Sequence, residues 1–258
     1  MYKPRWQWVA GYMMAMSVAL IGCGDDGGEQ ERDAAVDDAG GDDAQPADAA
    51  PADGSACPMT EELWEDVDLT AFTPLVKLEE LDVESDVQLA EAATYWELRR
   101  TSPGGDDTIV LSAGDKCAEA DDTDLCNQEF DDLTAATGFG PGCPPGSCFY
   151  YIAVNRGDTQ QVVSSMEELV TFLGNIDTST EAALIAHAHG YGWDVSTEPA
   201  GSAGAVRATT EGYELLVTEL TQDCDPIITD RVQLTVATEG EATPARRQIY
   251  GVICNACI

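Results

Sequence analysis

Nine cysteines and two histidines are the residues of this 258-residue chain best equipped for chemistry. Cys254 and Cys257 have the C-x-x-C spacing of a thiol–disulfide exchange site, in which a helix N-terminus lowers the pKa of the first thiol. Only Ile258 follows them, so bridging rather than redox turnover is the expectation. Cys143 and Cys148, with four residues between them, would complete a four-thiolate zinc set with that pair, but the spacing is loose for zinc. His187 and His189 are separated by one residue. On a helix this step turns the second imidazole by about 200° and places the two on opposite faces, where they cannot share a metal. On a strand they would share a face. The flanking residues favour helix, so both are read as late-helix residues that complement the helix dipole when charged. No metal site and no cofactor is expected.

Other suggestive strings have plainer readings. Asp121-Asp122-Thr123-Asp124 is acidic enough for calcium but lacks the Asp-x-Asp-x-Asp-Gly progression and the distal Glu, so a solvated loop is expected. Arg156-Gly157-Asp158 spells an adhesion tripeptide, yet a Gly-Asp turn between strands accounts for it. The chain has no Gly-x-Ser-x-Gly elbow, His-Glu-x-x-His, Walker loop or dinucleotide fingerprint. A Ser-His-Asp set is spatial, and spacing does not test it.

The elements that would position these residues are legible in part. Ser165-Met-Glu-Glu168 and Thr178-Ser-Thr-Glu181 both match the capping box. Met166, Leu169, Val170 and Leu173 recur at helical spacing, and Gly190 stands where a helix would end in a left-handed residue. The pattern predicts helices over 166–174 and 179–189, joined as an αα-hairpin across Asn175-Ile176-Asp177. A further helix is predicted over Leu125–Ala136 and a short acidic one over Thr60–Val67, while Asp86–Ala93 fits helix or strand.

Strand signals are denser. Ala93–Arg100 and Thr108–Ser112 form a predicted hairpin across Pro103-Gly104-Gly105. Gly138–Cys148 is too rich in Gly and Pro for regular structure. Cys148–Val154 is apolar on both faces, as in a strand covered on both sides. A turn at 155–158 leads into Gln160–Val163. Ala205–Thr210 and Tyr213–Leu220 flank a Glu211-Gly212 turn, Val232, Leu234 and Val236 alternate with polar residues, and Gln248–Ile253 is the last strand.

The N-terminus carries the most specific signal. Lys3 and Arg5 precede an apolar run from Ala10 to Ile21, too short for the roughly 20 apolar residues a bilayer span needs. The run ends Leu20-Ile21-Gly22-Cys23, which resembles the lipobox of bacterial lipoproteins. The resemblance covers residues 1–23 and implies cleavage before Cys23, acylation of Cys23 and residence in the cell envelope on a lipid anchor, in either membrane. Residues 24–56 carry eleven acids against Arg32, with Val36 as the only larger aliphatic. Such a segment cannot bury enough apolar surface to offset its ordering entropy, and like charges extend it, so a disordered tether is expected.

In an oxidising compartment the eight remaining cysteines, Cys57, Cys117, Cys126, Cys143, Cys148, Cys224, Cys254 and Cys257, read as a disulfide framework. Short separations suggest Cys117–Cys126, Cys143–Cys148 and Cys254–Cys257, leaving Cys57 for Cys224. Exchange of Cys254 or Cys257 into a bridge with Cys57 or Cys224 stays open. Residues 57–258 hold 37 acids and nine bases, a net charge of −28. That balance argues against nucleic acid, whose phosphates require basic patches. The expected fold of 57–258 is one α+β domain, a largely antiparallel sheet with an αα-hairpin, stapled by disulfides. The expected role is a non-catalytic binding or structural module of the envelope, with an unknown protein or small molecule as partner. The alternative is an exported hydrolase, or another enzyme, with a site assembled in space.

Overall fold

The computed structural model describes residues 60, 66–102, 107–142, 148–195, 203–254 and 256. Cys23, the apolar leader, the acidic tether, Cys57, Cys143, Cys257 and the Pro103-Gly104-Gly105 turn lie outside the described residues.

Chain order is β1 (Thr73–Pro74), α1 (Val83–Asp86), β2 (Tyr95–Arg100), β3 (Thr108–Gly114), α2 (Thr123–Asp131), β4 (Tyr150–Arg156), β5 (Thr159–Val163), α3 (Met166–Leu173), α4 (Ser179–Ala188), β6 (Ala205–Ala208), β7 (Gly212–Asp223), β8 (Ile227–Ala237) and β9 (Ala242–Ile253). The fold is α+β, but the strands form two antiparallel sheets rather than one. One is ordered β3-β2-β4-β5 and the other β1-β6-β7-β8-β9.

Helix α4 lies between the sheets. It packs against β6, β7 and β8 on one side, and His187 meets Tyr150 of β4 on the other, ring centroids 4.5 Å apart. Every residue from Thr180 to Ala188 is buried. A helix apolar all round, here Ala-Ala-Leu-Ile-Ala, suits such a place, because no face need carry charge to water. The shared core joins Trp96, Leu98, Ile152 and Val154 of one sheet to Leu215, Val217, Val232, Leu234 and Val236 of the other. On its far face the four-stranded sheet forms a second core of Phe130, Tyr151 and Ala153 under α2. Strand β4 is therefore covered on both sides, which explains its unbroken apolar run.

Both predicted capping boxes form. Ser165 and Thr178 accept from the amides of Glu168 and Glu181, whose carboxylates reach back to the cap amides. Helix α4 closes with bonds from Gly190 N to His187 O (2.9 Å) and Tyr191 N to Ala186 O (3.1 Å), with Gly190 at φ +94°. This is a Schellman ending, for which the left-handed glycine is needed.

Several expectations shift. The predicted helix at 125–136 runs instead from 123 to 131, because the Asp122 side chain caps it at the Leu125 amide. Asp122 thus belongs to a helix cap rather than to a solvated loop. Residues 87–94 form neither helix nor strand, and the short helix Val83–Asp86 stops before them. The proposed helix at 60–67 falls largely outside the described residues, and Asp66 and Val67 are not helical. Strand β9 begins six residues before the predicted one. The Cys117–Cys126 bridge is present, with Cα atoms 5.9 Å apart. Cys148, Cys224 and Cys254 are likewise disulfide-bonded, and Cys117–Cys126 is the bridge with both ends among the described residues.

Candidate functional site

A cleft of about 730 Å³ opens where the five-stranded sheet meets the start of α4. Four chain stretches build it: Ala71 and Thr73 from the segment entering β1, Asp86 from the end of α1, Thr178 and Ser179 from the α4 cap, and Val206 to Tyr213 from the β6–β7 hairpin. Its position follows from short β1, which pairs with β6 only at Ala205 and Val206. Arg207 and Ala208 extend beyond that pairing and form a wall.

The walls are fixed by bonds outside the opening. Arg207 donates from Nη2 and Nε to Glu214 (2.7 and 3.1 Å) and lies over the Phe72 ring at 4.6 Å. Asp86 accepts from Thr180 Oγ1 at 3.2 Å through its side chain, and from Thr178 Oγ1 at 2.7 Å through its carbonyl. Tyr213 donates its hydroxyl to the Asp177 carbonyl at 2.5 Å. Below the cleft, the buried Glu181 carboxylate accepts from the amides of Gln88, Asp177 and Thr178 at 2.7, 2.7 and 3.0 Å. One carboxylate therefore ties the 83–90 segment to the helix start. Such a site presents fixed donors, acceptors and one aromatic ring to a polar molecule.

The histidines stand apart from this cleft. They occupy opposite sides of the α4 end, as the spacing predicted: His187 is buried and His189 exposed. The dipole role is corrected for His187. Burial pushes its pKa down to about 4, against one opposing bond to the Tyr191 backbone, so the imidazole is neutral at physiological pH. His189 is also shifted down by burial. Tyr150, Trp193 and the Gly140 backbone wall His187, and its Nε2 is buried without a hydrogen-bond partner. A shallow pocket of about 420 Å³ beside His189 contains Glu167, Glu239 and Glu241. Among the described residues no hydrogen bond joins His189 to them, and no cluster of three or more metal-ligating side chains occurs.

The remaining sequence candidates are structural in this fold. Arg156 reaches Ala92 O and Gln161 Oε1 at 3.2 and 3.0 Å, and Asp158 accepts from the Asp121 amide at 2.8 Å. The Arg-Gly-Asp turn is therefore bonded to its own chain. Cys117 and Cys126 sit against the fully buried Asn155. Its Oδ1 accepts from Thr94 Oγ1 and Cys117 N at 2.8 and 3.1 Å, and its Nδ2 donates to Gly157 O and Gln160 Oε1 at 2.8 and 2.9 Å.

No protein-family model, curated protein or solved structure matches this chain. Its site is therefore read from its own geometry. Sequence reasoning missed the cleft, because Asp86, Ser179, Arg207 and Tyr213 belong to separate elements. The Thr178 capping box marked one wall and was read only as a helix start.

Among the described residues no helix is long and apolar enough to cross a membrane.

Proposed function

We propose that this chain is a cell-envelope lipoprotein, held to a membrane by acyl groups on Cys23, whose folded part is a non-catalytic binding module. Two acyl chains hold a protein stably where one holds it marginally, and a diacylglyceryl group joined to the Cys23 thiol through a thioether would bring two. The acidic tether, extended by its own repulsion, sets the module away from the surface. The observation that carries the binding reading is the cleft beside α4. Its volume falls within the roughly 300–1,000 Å³ of small-molecule sites, and its polar walls are fixed before any ligand arrives. Fixed walls lower the ordering cost that binding must meet.

The test is a photo-reactive side chain at Thr209, on the cleft rim, compared in intact cells with the same group at exposed Glu129 on α2. Position 209 should give a discrete cross-linked species that position 129 does not. Identical patterns at the two positions would remove the cleft from the account.

A further inference from the structure

We propose that the cleft takes a neutral, hydroxyl-rich ligand, a saccharide chain; this rests on the binding-module reading and names its ligand class. Chemistry and charge argue against apolar and anionic ligands in turn. Apolar contact is limited to the short side chains of Ala71, Val206 and Ala208 and the one ring of Tyr213, so a greasy ligand would gain little. An anion is poorly served. The one guanidinium, Arg207, is already neutralised by Glu214 at 2.7 Å, Asp86 faces the same space, and residues 57–258 carry a net charge of −28.

What remains suits hydroxyl groups, each of which both donates and accepts. Asp86 accepts one bond on each carboxylate oxygen, from Ser85 Oγ and Thr180 Oγ1 at 3.2 Å each, and the remaining lone pairs can accept from adjacent ligand hydroxyls. Arg207 uses Nε and Nη2 on Glu214, which leaves Nη1 to donate. The hydroxyls of Thr73, Ser179 and Thr209 line the same space and can serve in either sense. Tyr213 adds a ring whose hydroxyl is engaged with Asp177, so the ring is held as an apolar platform for the C–H face of a sugar. A carboxylate, a guanidinium edge, hydroxyls and one fixed ring in one cleft complement vicinal diols on a ring scaffold.

The experiment titrates the purified full-length chain in detergent with chitotetraose and maltotetraose. Tetragalacturonate serves as an anionic probe and tetra-alanine as a peptide probe. At least one neutral oligosaccharide should bind saturably, and more tightly than tetragalacturonate. Asp86→Ala should weaken that binding about tenfold or more, the size of one lost hydrogen bond to a charged group. Because Asp86 also contacts Thr180, a second variant guards against a folding effect. Ala208→Trp, at an exposed lining position whose side chain makes no hydrogen bond, should block the cleft without a change in the thermal unfolding midpoint. The saccharide assignment is overturned if neither neutral sugar binds, or if binding survives both variants. Saturable binding of the peptide or the anionic probe alone overturns it too, while leaving the module reading in place. Loss of the position-209 cross-link in cells, by contrast, defeats the module reading itself.

Discussion

Arg99 and Arg231 occupy equivalent places on the two sheets and live in opposite surroundings. Each points away from α4, each lies in an inner strand, and they are 5% and 4% exposed. Arg99 is surrounded by partners. Its Nε donates to Glu97 at 2.5 Å, and its Nη groups donate to the carbonyls of Leu133 and Phe130 at 2.7 and 3.0 Å. The Phe130 ring lies 5.1 Å from its centre. Burial alone would depress its pKa, but the Tyr151 and Glu97 contacts outweigh burial and hold it above the ordinary value. Tyr95 completes the set by donating to Glu97 at 2.7 Å, and its own pKa rises to about 12 through burial and that bond.

Arg231 has the Tyr250 ring at 4.6 Å and a marginal 3.5 Å contact to Gln248. Among the described residues it has no ion pair, and its Nε has no partner. Burial depresses its pKa, opposed only in part by Tyr250. The comparison teaches that burial of a charge does not measure its contribution. Removing a buried cation is costly where it strands a buried carboxylate, and much less so where none faces it.

The largest effect should come from breaking the answered site. Arg99→Met leaves the Glu97 carboxylate buried without its cation, and should cost about 3–5 kcal/mol in denaturant unfolding. A loss below 1 kcal/mol would mean that the network is not formed.

Acid should find the next weakness, at another buried base that lacks a carboxylate. The folded His187 titrates at about 4 against an ordinary 6.5, so the unfolded chain takes up the proton first as pH falls. The stability contributed by neutral His187 is complete above pH 6.5 and drains away between pH 6.5 and 4, by about 3 kcal/mol. Urea midpoints across that window should fall steeply for the wild type and less steeply for His187→Phe. Parallel curves would refute the assignment.

Capping comes third, since it is local and neutral in charge. Thr178→Ala and Ser165→Ala should each cost about 1 kcal/mol. Thr178→Ala should cost the more, because Thr178 Oγ1 also donates to Asp86 O. Equal losses would show that this second bond adds nothing.

The smallest effect should be at the unanswered site. Arg231→Met removes a charge that has no ion pair among the described residues and so strands no carboxylate, and it should change stability by less than about 1 kcal/mol in either direction. A loss comparable to that of Arg99→Met would erase the contrast between the sheets.

How much of this was legible in the chain depended on whether the signal was local. The α3–α4 hairpin was, because each helix announces itself in four residues, Ser165–Glu168 and Thr178–Glu181. The β4 strand was, because Tyr150 to Val154 is apolar without a break. The start of β9 was not, since Thr243, Pro244, Arg246 and Arg247 are exposed residues of an edge strand and carry no alternation. Pro244 and the two arginines discourage pairing with another chain, and that same purpose hides the strand from a search for periodicity. The neutrality of His187 was illegible as well. Ala186 and Ala188 gave no hint that Tyr150 and Trp193 would enclose it from distant positions. The contrast between the arginines was legible locally: Glu97 stands two residues before Arg99, on the same face of a strand, whereas Thr229 and Gln233 hold those places around Arg231.

The central claim is that a lipid at Cys23 holds a binding module to the envelope. The most direct measurement is mass spectrometry of the N-terminal peptide from protein isolated out of whole cells. The account predicts a peptide that begins at Cys23, with acyl chains on the thiol-derived side chain, recovered from membranes. A chain that begins upstream of Cys23 and carries no acyl mass, recovered from the soluble fraction with its cysteines reduced, would contradict it.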